Sequence, residues 1–389
     1  MRFVRFLVVA LCAAGCGGGS PLSPGVDASG VAGAVSGAAG AVATGTAGAA
    51  TGAAGAAGAA TGTAGAAAGV AGSTGMTLPA INTGCGKPLP ATQIPTAVGM
   101  PTGFTHFMVT ATGATLAGPA PTKAGPRTFW VRVPVDYDPN HRYRVVYIGQ
   151  GCGGYNVANT ATLQLFSASQ GGTEEAIYVA LDIPTDMANQ DCYDNRDGPG
   201  SQEWEAFELF HTLVDATYCV DNDNVFVAGY STGGTLADQW GCYFAGDGSR
   251  PWNGAPGGNP PGTTVAPRRF APQYHIRGQA ADSGIDPDNN PPCNGPVAAF
   301  WLHDLQDTNP YASVHDIALP RVLKMNGCFS ATPSPWHEDV MGKGVCVKYR
   351  DCPAAFPVVF CTTSGGGHSD QHPLFIPGVT LFFDEASAP

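Results

Sequence analysis

Charge is scarce in this sequence: Lys, Arg, Asp and Glu make up 12% of its 389 residues. The charge present leans acidic, with 30 Asp and Glu against 18 Lys and Arg. A formal charge of −12 leaves no basic patch to meet nucleic-acid phosphates or anionic lipid headgroups, so neither is an expected partner. The sequence has no C-x-x-C pair, the spacing on which structural zinc sites draw, so no metal is expected. Aromatic residues are absent from Gly17 to Gly75, a stretch built almost wholly of Gly, Ala, Ser, Thr and Val. Such a segment cannot bury enough apolar surface to offset the entropy of ordering it, and 17–75 is expected to be a disordered tether. Gly52, Gly55 and Gly58 keep a spacing of three, but the spacing breaks at Gly62 and no proline supports a collagen helix. As a flexible coil the tether reaches roughly 40 Å.

Residues 1–16 read as a targeting segment. Arg2 and Arg5 give a positive start, Phe6 to Leu11 an apolar stretch too short to span a bilayer, and Ala13-Ala14-Gly15 a small-residue cleavage site. With Cys16 directly after it, this resembles a bacterial lipoprotein signal, which implies lipidation of Cys16. Ala13 stands where leucine is usual, which keeps plain secretion as the other reading. Either route takes the mature protein out of the cytoplasm, and membrane contact is expected only through the lipid. Beyond Cys12 and Cys16 ten cysteines remain, an even number in an exported chain, and they read as disulfides. The expected pair is Cys219 with Cys242, the two that flank the central motif.

That motif is Gly229-Tyr230-Ser231-Thr232-Gly233-Gly234, which fits the nucleophile-elbow pattern G-x-S-x-G. Val225 to Ala228 before it form a short apolar run suited to a buried strand. Leu236, Trp240 and Phe244 after it recur every fourth residue, as on a helix packed against a sheet. Strands are also expected at Thr128 to Val133, Tyr143 to Ile148, Ala176 to Leu181, Val297 to Leu302 and Val358 to Phe360. Helices are expected around Ala161 to Ser169 and on the face marked by Trp204, Phe207, Phe210, Leu213 and Val214. Strands alternating with helices imply an α/β domain over 76–389, a mostly parallel sheet with helices on both faces. Residues 246–296, rich in Pro, Gly and Asn, are expected to be a surface excursion. Asp282, Asp286, Asp288 and Asn290 within it lack the glycine and distal glutamate of a calcium loop and read as a solvated acidic loop.

A serine hydroxyl needs an imidazole to take its proton, and the imidazole needs a carboxylate to orient it. In α/β-hydrolases these follow in the chain order Ser, Asp, His. Here Ser231 ends one strand, Asp307 lies past the next and His368 past the last, so all three are expected at the carboxyl edge of one sheet. Asp304 is the rival acid. His372 is the rival base, and a metal pair with His368 lacks a third ligand. His303 reads as structural. Oxyanion donors are expected from the N–H of Thr232 and from the loop Gly151-Cys152-Gly153. That loop lacks the spacing of a dinucleotide fingerprint and the lysine of a P-loop, so nucleotide binding is not expected.

The blocks Gly151-Cys152-Gly153-Gly154, the elbow with its doubled glycine, His303-x-x-x-Asp307 and Gly366-Gly367-His368, in this order over about 125–375, resemble the secreted esterases that include feruloyl esterases and polyhydroxybutyrate depolymerases. The resemblance implies a disulfide-supported α/β-hydrolase with Ser231, Asp307 and His368 as triad and no cofactor. It implies an ester substrate, with plant-wall feruloyl esters expected and polyhydroxyalkanoate as the alternative. A catalytically inactive surface binding protein and a serine peptidase on the same fold are the readings from other classes. Gln150 stands where the family loop often has histidine, which bears on the acyl pocket.

Overall fold

In the computed structural model the described residues are 82–90, 104–111, 125–134, 137–152, 176–183, 192–193, 202–245, 275–284, 293, 295–328, 333–368 and 373–387. The chain divides after Gly72, and the description below concerns Ser73–Pro389 alone. The targeting segment, Cys16, the tether, the expected helix at 161–169, Gly153, Gly154 and His372 lie outside the described residues.

Ten described strands form one sheet: β1 (Phe104–Ala111), β2 (Gly125–Arg132), β3 (Tyr143–Gly149), β4 (Ala176–Leu181), β5 (Val220–Tyr230), β6 (Gly278–Asp282), β7 (Ala298–Asp304), β8 (Pro333–Pro335), β9 (Cys346–Tyr349) and β10 (Val358–Thr363). Their order is β1-β2-β4-β3-β5-β6-β7-β10-β9-β8. The six central strands from β4 to β10 run parallel, and the pairs at either end are antiparallel. The central strands are apolar almost throughout because both faces are covered.

Alternate residues supply two layers. Tyr147, Val225 and Val227 join α1 (Gln202–Thr217) and α2 (Thr232–Tyr243) on one face. Val146, Phe226, Ala228, Phe300 and Val359 join α6 (Phe375–Ala386) on the other. Farther along the first face, Trp301 and Phe360 pack with a helical stretch made of α3 (Thr308–Ser313), a π-helical turn (Val314–Ala318) and α4 (Leu319–Asn326). The short α5 (Glu338–Met341) adds Met341 beside α6.

The β3–β5 register shifts between Tyr143 and Val145, where β5 spends three extra residues. Asn222 is one of them, and its side chain is buried. Its Oδ1 accepts from His211 Nε2 at 2.7 Å, which leaves His211 Nδ1 to accept from the Tyr147 hydroxyl at 2.8 Å. Asn222 Nδ2 donates to Asp215 at 2.8 Å. Burial holds the His211 imidazole below its usual value, against the opposing pull of its Asn222 bond, so the ring sits neutral in a satisfied network.

Three expectations need correction. Residues 246–296 are not wholly an excursion, because β6 lies within them as an interior strand between β5 and β7. Its sequence, Gly-Gln-Ala-Ala-Asp, has no β-branched or aromatic residue and so carries no strand signature. Small side chains serve there because Gly278 sits against the Phe226 ring and the Ala298 methyl. Asp282 is accordingly no solvated acidic residue; it is buried at the strand end.

The third concerns the cysteines. All ten pair, as Cys85–Cys219, Cys152–Cys192, Cys242–Cys293, Cys328–Cys352 and Cys346–Cys361, so Cys219 and Cys242 do not join. α2 leans from β5 toward β6: Gly241 lies against the Gln279 side chain, and Cys242 packs with Ala281, Val297 and Trp301. Cys219 sits on the opposite side of β5, where its carbonyl accepts from Tyr143 of β3. Sequence distance to one strand does not say which way the following helix leans.

Candidate active site

The chain turns from β5 into α2 through a single residue. Ser231 has φ 53° and ψ −120°, a conformation that costs a non-glycine residue about 1–3 kcal/mol. Its neighbours over-determine it. A Cβ on Gly229 would collide with the Gly233 carbonyl, and a Cβ on Gly233 would collide with the Gly149 carbonyl and lie 2.7 Å from Gln150 N. Strand β3, strand β5 and the first turn of α2 therefore meet at van der Waals distance only because these positions lack side chains. The Ser231 N–H donates to the Asp282 carbonyl at 2.8 Å, so β6 braces the elbow from the side.

Sequence reasoning missed this brace. Its one local signal is Asp282-Ser283-Gly284, where Ser283 has φ 51° and Gly284 packs on Gly234.

His368 arrives from the end of β10 through Ser364 to Gly367, with Gly365 and Gly367 at φ 97° and 59°. Its Nε2 lies 2.9 Å from Ser231 Oγ and its Nδ1 2.7 Å from Asp307 Oδ2. A carboxylate only accepts, so Nδ1 carries the proton and Nε2 is left to accept from the serine hydroxyl. Asp307 is 11% exposed and His368 43%, a shielded acid behind an imidazole that faces solvent. The structure thus brings Ser231, His368 and Asp307 into one line of hydrogen bonds. Such a line can pass the hydroxyl proton to the imidazole and hold the resulting cation.

Asp304, the rival acid, has another task. Its Oδ1 accepts from Gln306 N at 2.9 Å, and its Oδ2 accepts from Gly366 N at 2.9 Å and Thr363 Oγ1 at 3.0 Å. It fastens the loop that carries His368 to the loop that carries Asp307. Burial pushes its carboxyl up, but these donors, with the Gly367 N–H, outweigh burial and leave it below the usual carboxylate value. A depressed folded-state value contributes stability that is fully present above the unfolded value near 3.8 and is lost as pH falls below it through the lower folded value. Urea unfolding of the wild type is therefore expected to weaken more between pH 5 and pH 3 than that of Asp304→Asn, whose side chain takes up no proton.

His303 is buried and stacks on the Phe360 ring at 6.1 Å, away from this line.

Ser231 and Thr232 stand at the N-terminus of α2, whose first intrahelical bond runs from Thr235 N to Ser231 O. The N–H groups of Thr232, Gly233 and Gly234 precede that bond and carry the partial positive charge of the helix end. Across from them, a Cβ on Gly151 would meet the Ser231 Cβ at 3.3 Å and the Tyr230 ring at 2.7 Å, which places the loop after β3 directly beside the serine. Cys152 follows, joined to Cys192. Donors from two directions around a hydroxyl can stabilise a tetrahedral oxyanion. Tyr230 touches a third component, its ring 5.4 Å from that of His368.

Residues 122–237 match the family model described as putative esterase, a span that runs from the approach to β2 through the first turns of α2. No curated protein matches the sequence. Among solved structures, a ferulic acid esterase from Anaeromyces mucronatus, in complex with ferulic acid, is 14% identical over 80% of this chain and 98% of its own, with a TM-score of 0.41. A feruloyl esterase module from Clostridium thermocellum, complexed with sinapinate, is 15% identical over 74% and 90%, with a TM-score of 0.43. Arabidopsis thaliana SOBER1 is 15% identical over 63% and 99%, with a TM-score of 0.37. Likeness at this level says nothing about substrate. The mostly parallel sheet with its sharp strand-to-helix elbow is that of an α/β-hydrolase, and the match of residues 122–237 to the esterase model supports a carboxylic ester hydrolase.

Proposed function

We propose that this chain is a serine carboxylesterase that works outside the cytoplasm. Ser231 attacks the ester carbonyl, His368 takes the hydroxyl proton and delivers it to the leaving alcohol, and Asp307 holds His368 in the tautomer that accepts. The N–H of Thr232 and those of the Gly151-Cys152-Gly153 loop stabilise the oxyanion. Water, activated by the same imidazole, then releases the acid from Ser231. One observation carries this reading: the unbroken line Ser231 Oγ, His368 Nε2, His368 Nδ1, Asp307 Oδ2, at 2.9 and 2.7 Å, on a strained elbow.

Five cysteine pairs suit an oxidising compartment. Lipidation at Cys16, with 17–75 as spacer, would keep the enzyme at the cell envelope. The four sequence blocks support an ester substrate, feruloyl or polyhydroxyalkanoate; a spacer-borne surface enzyme suits plant-wall feruloyl esters, with polyhydroxyalkanoate as the alternative.

The test is intact-mass measurement after treatment with a fluorophosphonate, which traps activated serines. One adduct is expected on the wild type and none on Ser231→Ala. A wild type that stays unmodified while folded and oxidised would overturn the assignment. A panel of feruloyl, acetyl and hydroxybutyrate esters then reads the acyl preference; highest kcat/KM on the hydroxybutyrate ester would overturn the feruloyl choice.

A further inference from the structure

The loop that follows β3 must present its N–H groups to the oxyanion in a fixed direction, and glycine at 151 gives its backbone no stiffness of its own. Two consecutive residues from elsewhere in the chain supply that stiffness. Cys192 is joined to Cys152, one residue past Gly151. Tyr193, next to it, is buried with its hydroxyl between two backbone groups: it accepts from Gln150 N at 3.2 Å and donates to the Leu181 carbonyl at 2.7 Å. Gly151 is therefore bracketed, by a hydrogen bond at 150 and a covalent link at 152. Both restraints come from one dipeptide, which is anchored in turn to the last residue of β4.

The two uses of the hydroxyl fit together. Its single proton goes to Leu181, which leaves a lone pair for the Gln150 N–H. That N–H is thereby spent on Tyr193 and not on the substrate, and the peptide plane at 149–150 is held. The direction of the next N–H groups follows from this plane and from the Cys152 tether. Burial drives the Tyr193 phenol well above its usual value, so the proton stays on it throughout the working range.

We propose that Tyr193, with the Cys152–Cys192 link, is a positioning residue that holds the oxyanion loop in register with Ser231. The proposal rests on the reading of Ser231 as nucleophile. It makes Tyr193 matter in the transition state more than in substrate binding, because the oxyanion exists only there. Tyr193→Phe keeps the ring and removes both hydrogen bonds.

The experiment compares wild type, Tyr193→Phe and the double variant Cys152→Ser/Cys192→Ser in the full mature chain with p-nitrophenyl acetate. It also measures inhibition by a trifluoromethyl ketone, which forms a tetrahedral oxyanion on the serine. Tyr193→Phe is expected to lower kcat by about 10- to 100-fold with KM within about twofold, and to weaken the ketone by a similar factor. The shape of the pH profile should not change. A kcat within twofold of wild type, or a fall in kcat with undiminished ketone affinity, overturns the proposal. If Tyr193→Phe does not fold, the double serine variant decides by the same two readings. Failure of the underlying assignment looks different: the wild type itself then takes no fluorophosphonate adduct.

Discussion

Asp307→Asn is expected to lower kcat on a simple ester by about 10⁴, and His368→Ala by about 10⁴ to 10⁶, with little change in thermal stability. The loss at 307 follows from hydrogen-bond polarity. The carboxylate accepts from His368 Nδ1 and so leaves Nε2 to accept from Ser231. An amide in its place can donate to Nδ1, which turns the proton toward Nε2 and removes the base. Combining the two changes should cost no more than the worse one alone, because each already breaks the same relay. Asp304→Asn should behave differently, with loss falling mainly on stability, since Asp304 reaches His368 through the Gly366 and Gly367 N–H groups and the Thr363 hydroxyl and not by direct contact. Parallel kcat and urea-unfolding measurements on the two variants separate the roles. Equal losses of kcat at 304 and 307, without loss of stability at 304, would reverse them.

Gly233→Ala is the second large effect. The added methyl would have to occupy space held by the Gly149 carbonyl and the Gln150 nitrogen, and all three are backbone atoms that no rotamer change can move. Either β3 and α2 part or the elbow turns, at a cost of about 1–3 kcal/mol for overpacking. The functional cost is expected to be greater in proportion. Gly149 leads directly into the loop proposed to hold the oxyanion and Gly233 lies two residues past Ser231, so the displacement falls between the proposed nucleophile and its donors. A misplacement of about 1 Å at such a site costs roughly 10² in rate. Kinetics and urea unfolding should show both losses together. A variant of full stability and full kcat would mean that the close approach of Gly149 and Gly233 is not needed for the site.

The pattern of what could and could not be read follows from how far apart the determinants lie. Strand, elbow and helix around Ser231 were legible because local sterics dictate them: an apolar run, a serine between glycines, and an apolar stripe at helical spacing. The candidate acid and base were legible for a related reason. Each follows a recognisable strand, β7 or β10, and parallel strands bring their carboxyl ends to one edge of the sheet. β6 was not legible. Its place between β5 and β7 rests on small residues tolerated by neighbours, Phe226 on one side and Ala298 on the other, that are remote in sequence. The short strands β8 and β9 gave too few residues for a period to emerge, and β1 at the far edge, Phe-Thr-His-Phe-Met-Val-Thr-Ala, keeps no strict alternation.

By itself, then, the sequence determined the fold class, the elbow and the candidate residues for the chemistry, because backbone sterics and hydrophobic period act over a few residues. Only the tertiary structure decided which cysteines pair, that Asp304 braces the loops while Asp307 faces His368, and that Cys192 and Tyr193 fasten the loop after β3 on either side of Gly151. Each of these depends on the direction in which a helix leans or a loop closes, and that direction is set by packing between segments tens of residues apart.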